Sequence, residues 1–124
     1  MIFGVGIDII DPKRIEGTIA PGDSFLRRTF TGAEREAAPE GEAARLEWYA
    51  GRFAIKEAVF KALRDDAPHT RMDEIEALRA ADGSPYIILH GRTKDRAAGK
   101  GIAAVHVSLS KESGFVCALA VAEK

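Results

Sequence analysis

Three groups of side chains in this sequence combine residue types and spacings that can do chemistry. Asp8 is the one charged residue in the run Ile-Phe-Gly-Val-Gly-Ile-Asp-Ile-Ile at residues 2–10. A carboxylate in apolar surroundings is costly without a partner. Asp8 therefore needs a cation, a helix N-terminus or a metal, unless it only caps the following turn. Glu57 and Lys61 stand at i and i+4 in a stretch, residues 53–63, that is apolar apart from these two and Lys56. On an exposed helix such a pair is an ordinary ion pair worth ~0.3–0.5 kcal/mol. Inside a cleft, the carboxylate and the ammonium can hold a divalent cation and a phosphate. Mg²⁺ suits this, because it takes one or two carboxylates and completes its shell with phosphate oxygens and waters. His106, Ser108 and Ser110 alternate along a strand-like run. They can bind phosphate or move protons, or form no more than an exposed strand face. His69 and His90 fall in loop contexts and receive no role.

The elements that must position these groups follow from periodicity and turn chemistry. In residues 2–10, Phe3, Val5, Ile7 and Ile9 share one face, and Gly4, Gly6 and Asp8 the other. This predicts a strand buried on both sides, with open space beside Asp8 where the glycines carry no side chain. Asp11-Pro12 reads as the N-cap and first residue of a short helix to about Gly17. Pro21, Gly22 and Asp23 follow in a loop. Thr31 with Glu34 forms a capping-box pattern, opening a short helix that Pro39 and Gly41 interrupt. Residues 42–64 form the longest helical candidate, with Leu46, Ala50, Phe53, Glu57 and Phe60 on one stripe and Tyr49 beside it. Its second half predicts a helix buried on most sides, ended by Asp65, Asp66 and Pro68. Residues 75–80 have helical local propensity. Asp82-Gly83 ahead of Pro85-Tyr86-Ile87-Ile88-Leu89 nevertheless signals a hairpin, so a strand is expected at 75–80. Residues 93–98 predict a short helix stopped by Gly99. Residues 103–110 and 115–122 predict strands joined by Lys111-Glu112-Ser113-Gly114, the first with Val105, Val107 and Leu109 on the core and the polar row outward. The expected class is α+β, helices packed on a small antiparallel sheet.

Composition narrows the function classes. The chain has 124 residues, enough for one domain over 1–124. Lys and Arg total 18 against 19 Asp and Glu, a formal net charge of -1. This argues against a general nucleic-acid or membrane-surface binder. The single Cys117 allows no internal disulfide. No basic segment and cleavage site of secretory type leads the sequence, and no apolar run approaches the ~20 residues of a membrane span. A cytoplasmic location is expected, with neither nucleic acid nor membrane as partner. A domain this small buries only ~65% of its unfolded surface, so a stabilising second subunit is expected as well. There is no Walker loop, dinucleotide fingerprint, zinc-type Cys/His cluster or nucleophile elbow.

Read as strings, the residues go further. Gly6-Ile7-Asp8-Ile9-Ile10 with Arg14-Ile15 resembles the N-terminal motif of the holo-[acyl-carrier-protein] synthases, small bacterial phosphopantetheinyl transferases. The string from Arg52 to Leu63, Arg-Phe-Ala-Ile-Lys-Glu-Ala-Val-Phe-Lys-Ala-Leu, is similar to that family's second motif. Gly83-Ser84-Pro85 matches its third, and His106-Val107-Ser108-Leu109-Ser110 its C-terminal one. The resemblance implies the phosphopantetheinyl transferase fold and transfer of the phosphopantetheine arm of coenzyme A to a serine of apo-acyl carrier protein. It also implies release of adenosine 3',5'-bisphosphate and a requirement for Mg²⁺. On that reading Asp8 and Glu57 are the metal ligands and Lys61 contacts a coenzyme A phosphate. Arg52, His106, Ser108 and Ser110 bind the nucleotide and its 3'-phosphate. The general base is Glu57 acting through a metal-bound water, or a water alone. The resemblance further implies a homotrimer with active sites between subunits, where the His106 row of one chain meets Asp8, Glu57 and Lys61 of the next. Lys13, Arg14, Arg27 and Arg28 are cations available to an acidic carrier, Arg14 foremost, with Phe25, Leu26 and Phe30 as apolar contacts. Two departures stand out. Arg64-Asp65-Asp66 replaces Gly and a small polar residue, adding acidic charge near coenzyme A. Lys111 replaces a histidine. Two other classes use the same residues: a non-catalytic module that binds coenzyme A or carrier, and a Mg²⁺-dependent nucleotide pyrophosphate hydrolase.

Overall fold

Gly4 and Gly6 let the first strand lie directly against the backbone of the longest helix. The computed structural model describes residues 1–19, 24–65 and 70–124, so Pro21, Gly22, Asp23, Asp66, Pro68 and His69 lie outside the described residues. In chain order the elements are β1 (Ile2–Ile10), two 3-10 turns (Pro12–Arg14 and Glu16–Thr18), α1 (Ser24–Thr29), α2 (Gly32–Ala37) and α3 (Glu42–Ala62). A third 3-10 turn (Met72–Glu74), β2 (Ile75–Arg79), β3 (Pro85–Leu89), α4 (Gly91–Gly99), β4 (Ala104–Glu112) and β5 (Phe115–Glu123) follow. The class is α+β. One sheet has the order β1-β5-β4 and the other is the β2-β3 hairpin, all pairings antiparallel.

Residues directly opposite in antiparallel strands share a face. Gly4, Gly6, Asp8 and Ile10 therefore line up with Ala122, Ala120, Ala118 and Val116, and these with Val105, Val107, Leu109 and Lys111. This face carries α3. A Cβ on Gly6 would overlap the Ala58 carbonyl, and one on Gly4 the Ala62 carbonyl. The space at Gly4 and Gly6 is thus filled by helix backbone, and the room beside Asp8 opens instead toward Ile9 and Ile10. The other face carries Val5, Ile7 and Ile9, then Val121, Leu119 and Cys117, then His106, Ser108 and Ser110. Ile7 is 55% and Ile9 60% exposed, so β1 is covered on one side only by its own chain.

Local signals act where they were read. Asp11 accepts from the Lys13 amide at the first 3-10 turn. Thr31 and Glu34 make both bonds of the capping box. Residues 75–79 are strand, and Gly83 at φ 91 allows the turn into β3. The β4–β5 joint is shorter than expected. The strands run to Glu112 and from Phe115, leaving Ser113 and Gly114, both at positive φ, as the two-residue loop that matches strand twist.

The face of α3 turned away from β1 is pinned by a buried ion pair that the sequence pattern did not reveal. Lys56 and Glu34 have fully buried side chains, with Nζ and Oε1 2.8 Å apart. The ammonium also donates to the carbonyls of Met72 (2.9 Å) and Ile75 (2.5 Å). Glu34 accepts from the amides of Thr31 and Ala77, both at 2.8 Å.

Candidate active-site cleft

At the end of the inner sheet face, β1 and the middle of α3 border a cleft of about 380 Å³. It is lined by Asp8, Ile9, Ile10, Arg14, Ile15, Phe53 and Glu57. The alternation of β1 puts Asp8 on the helix side, and Glu57 belongs to the half-buried stripe of α3 with Phe53 and Phe60. Except for the buried Ala50, the stripe read from the sequence is therefore the rim of the helix. Its fully buried positions include Ile55, Ala58, Val59 and Ala62.

The electrostatics of the cleft are those of two carboxylates sharing one space. Burial pushes the Glu57 carboxyl above its ordinary range, the Asp8 carboxylate pushes it further, and Lys61 pulls back. Lys61 does not close on Glu57 as an i, i+4 partner. It reaches across to β1, donating to the Ile7 carbonyl at 2.8 Å and standing 3.5 Å from Asp8 Oδ1. Among the described residues no group of three or more His, Cys, Asp or Glu could hold a metal. The pair fits an ion that needs only two protein carboxylates and takes its remaining ligands from phosphate and water, as Mg²⁺ does. The like-charge crowding at Glu57 is what such a cation relieves.

The remaining expected site residues are distributed around this cleft. Arg14 lines it and is exposed. Arg27 and Arg28 are exposed on α1. Phe25 packs edge-on to Phe30 at 6.0 Å and against Phe53 at 6.1 Å, tying α1 to the cleft rim. Leu26 and Phe30 are 6% and 1% exposed. Both are core residues, which corrects their reading as docking contacts. Arg52 lies outside the cleft at 2% exposure, stacked on Trp48 at 4.1 Å. Burial and then the neighbouring Arg79 lower its pKa to about 10, against a small opposing effect of Glu34. Its Nε and Nη1 and the Tyr49 hydroxyl have no hydrogen-bond partner. His106, Ser108 and Ser110 occupy the outer sheet face, opposite to Asp8. His106 Nε2 is 3.1 Å from Glu123 Oε1.

The described residues of both departures, Arg64, Asp65 and Lys111, acquire partners. Asp65 is buried and accepts from Arg96 Nε (3.0 Å) and Nη2 (2.9 Å) and from Thr70 Oγ1 (2.9 Å). Its charge is held inside the fold, paired with Arg96. Arg64, at φ 53, ends α3 in the left-handed region. Lys100 donates to the carbonyls of Leu63 and Arg64, both at 2.9 Å. Lys111 pairs with Glu47 at 2.6 Å.

Sequence reading missed Phe53 and Ile15 as cleft walls and gave Lys56 no role. Its one signal was a lysine within an apolar stretch, adjacent to Glu57.

A family model described as the 4'-phosphopantetheinyl transferase superfamily matches residues 4–120. The holo-[acyl-carrier-protein] synthase of Desulforudis audaxviator is 40% identical over 123 residues, covering 98% of this chain and 93% of that one. That of Edwardsiella ictaluri is 38% identical over 124 residues, covering 98% of each. Among solved structures, the holo-[acyl-carrier-protein] synthase of Neisseria meningitidis superposes with a TM-score of 0.87 at 32% identity over 100% of both chains. A Bacillus anthracis holo-(acyl-carrier-protein) synthase in complex with CoA (3',5'-ADP) does so at 0.79 and 34% identity, covering 100% of this chain and 98% of that one. Matched over nearly its full length in sequence and in fold, the chain belongs to the holo-[acyl-carrier-protein] synthases of the 4'-phosphopantetheinyl transferase superfamily.

Proposed function

We propose that this protein transfers the 4'-phosphopantetheine group of coenzyme A to a serine of apo-acyl carrier protein, releasing adenosine 3',5'-bisphosphate. We place the reaction in the cytoplasm, in the service of fatty acid biosynthesis, with Mg²⁺ required. The observation that carries this reading is the convergence of Asp8 from β1 and Glu57 from α3 on one cleft beside Lys61. Solved relatives with coenzyme A bound support the donor.

Asp8 and Glu57 would hold Mg²⁺, which offsets negative charge on the pyrophosphate oxygens when bound. Glu57, half-buried at the cleft rim, takes up the proton of the carrier serine by way of a water. The serine oxygen forms a bond to the phosphorus nearer the pantetheine. The bond from that phosphorus to the bridging oxygen breaks, and its electron pair leaves with adenosine 3',5'-bisphosphate. Lys61 swings from the Ile7 carbonyl to donate to a phosphate oxygen, a motion its half-exposed side chain permits. Arg52, 2% exposed, outside the cleft and packed on Trp48, is not assigned the nucleotide 3'-phosphate that the resemblance gave it. Arg14, Arg27 and Arg28 meet the acidic carrier, with Phe25 at the edge of that surface.

The exposed apolar face of Val5, Ile7, Ile9, Phe115 and Leu119 supports a homotrimer. A sheet face of this kind is covered in soluble proteins by another surface. His106, Ser108 and Ser110 stand on the same face, so an interface that buries it would contain that row.

Intact-mass spectrometry of apo-acyl carrier protein incubated with the protein, coenzyme A and Mg²⁺ tests the reading. The expected result is the gain of one phosphopantetheine, abolished by EDTA. Coenzyme A bound without transfer would make the chain a binding module. Cleavage of coenzyme A without modification of the carrier would make it a hydrolase.

A further inference from the structure

The mechanism proposed above gives no task to Lys56, the residue immediately before Glu57. Yet its ammonium has a full set of partners at 0% side-chain exposure: the Glu34 carboxylate and the carbonyls of Met72 and Ile75. Glu34 is equally committed, to the Thr31 and Ala77 amides as well as to Lys56. Three segments distant in sequence thus converge on one side chain of α3: the capping box of α2, the 3-10 turn 72–74, and β2.

Stability alone is a weak reason for such a pair, because removing two charges from water offsets most of their attraction. What a fully satisfied buried network does supply is a single geometry. Successive residues of an α-helix are ~100° apart around its axis, so Lys56 and Ala58 lie on nearly opposite sides, with Glu57 between them. On the Ala58 side, the contact of Gly6 with the Ala58 carbonyl and of Gly4 with that of Ala62 sets α3 against β1, the strand that bears Asp8. On the Lys56 side the ion pair prevents the helix from rolling. These two restraints bracket Glu57 and fix its place relative to Asp8.

We propose that the Glu34–Lys56 pair is a positioning device for the carboxylate pair. It sets the rotation of α3, and through it the separation of Glu57 from Asp8, without either residue touching substrate. The proposal rests on the reading of Asp8 and Glu57 as the metal-holding pair. A group misplaced by ~1 Å can lose ~100-fold in rate, which makes a rotation of this helix visible in the reaction.

The test compares the unaltered protein with E34Q/K56M, which removes both charges at nearly constant volume. Thermal melting, Mn²⁺ binding by calorimetry in the presence of coenzyme A, and kcat and KM over an Mg²⁺ titration are measured on each. The expected result is a folded double variant with Mn²⁺ affinity and kcat each reduced at least ~10-fold and KM for the carrier within twofold. A variant that melts lower yet keeps both Mn²⁺ affinity and kcat within twofold shows a purely structural pair and overturns the proposal. E34Q alone keeps Lys56 and one acceptor oxygen. It is the milder variant should the double one not fold, with the same readouts and a loss of at least ~3-fold in Mn²⁺ affinity expected. If the unaltered protein shows no Mg²⁺-dependent transfer, the reading of the site fails before the variants are compared.

Discussion

Lys61 stands 3.5 Å from the Asp8 carboxylate while its ammonium donates to the carbonyl of Ile7, the residue before Asp8. Helix and strand are joined by a cation at the point where two carboxylates meet. Lys61 also opposes the rise in the Glu57 pKa that burial and Asp8 cause. A carboxyl with a raised pKa stays protonated to higher pH, so binding of a cation that needs it ionised begins later on the pH scale. In the metal-free protein the Glu57 carboxyl is therefore expected to titrate above the ordinary glutamate value of about 4.3. Lys61→Ala should move that titration further up and raise KM for coenzyme A by about tenfold. An unchanged titration and KM in this variant would leave Lys61 as a structural tie between α3 and β1.

The contact of Gly6 with the Ala58 carbonyl makes an equally specific prediction for stability. A methyl group at this position would need the helix to retreat from the strand, because the obstructing atoms are backbone. Gly6→Ala should cost about 3 kcal/mol or more in urea unfolding. Gly17→Ala, with nothing within 4 Å of the added carbon, should change stability by less than ~1 kcal/mol. Equal effects at the two sites would mean that the helix is not seated on the glycines.

Gly6 also marks where sequence reading stopped. The alternation of β1 correctly puts Asp8 on the glycine side, but pattern alone reads missing side chains as room, and only tertiary packing shows helix backbone in that room. Signals confined to a few residues were legible. Thr31 and Glu34 as a capping box, Asp82-Gly83 as a turn and the alternation of β4 rest on local hydrogen bonds and side-chain periods. The Glu34–Lys56 pair spans 22 residues, and no period or motif encodes it. The stripe of Leu46, Ala50, Phe53, Glu57 and Phe60 has the right spacing for a core face. Ala50 is core, but Leu46, Phe53, Glu57 and Phe60 became a rim because the buried surface of α3 is set by where β1 and β2 contact it.

Arg64 follows the C-terminus of α3 at φ 53, a place that glycine occupies without steric penalty. A non-glycine residue there costs ~1–3 kcal/mol. The Arg64 guanidinium lies over the Phe3 ring at 5.3 Å, a contact worth ~0.5–1 kcal/mol at an exposed site. The backbone effect wins, so Arg64→Gly should raise stability by about 0.5 kcal/mol or more, or roughly 2 °C in Tm. Lys100 still caps the Leu63 and Arg64 carbonyls in that variant, so the helix end is kept. A lower Tm would show that the stacking on Phe3 outweighs the left-handed strain.

The two faces of the β1-β5-β4 sheet set the last expectation. Asp8 is on the inner face and His106 on the outer, so a single chain does not direct both side chains into one cleft. If sites form between subunits of a trimer, a site needs Asp8 from one subunit and His106 from its neighbour. Asp8→Ala and His106→Ala homotrimers then each lack an essential group at every site. Trimers reassembled from an equal mixture contain interfaces where the His106→Ala subunit supplies Asp8 and the Asp8→Ala subunit supplies His106. For random assembly this is about a quarter of all interfaces in a cyclic trimer. Activity near that fraction of the unaltered protein is expected on mixing, measured as phosphopantetheine added to carrier per unit time. Ile7→Glu should prevent the rescue, because Ile7 is 55% exposed on the face that must be covered and a carboxylate there opposes its burial. Activity on mixing no higher than the mean of the two variants would confine the site to one chain and leave the His106 row outside it.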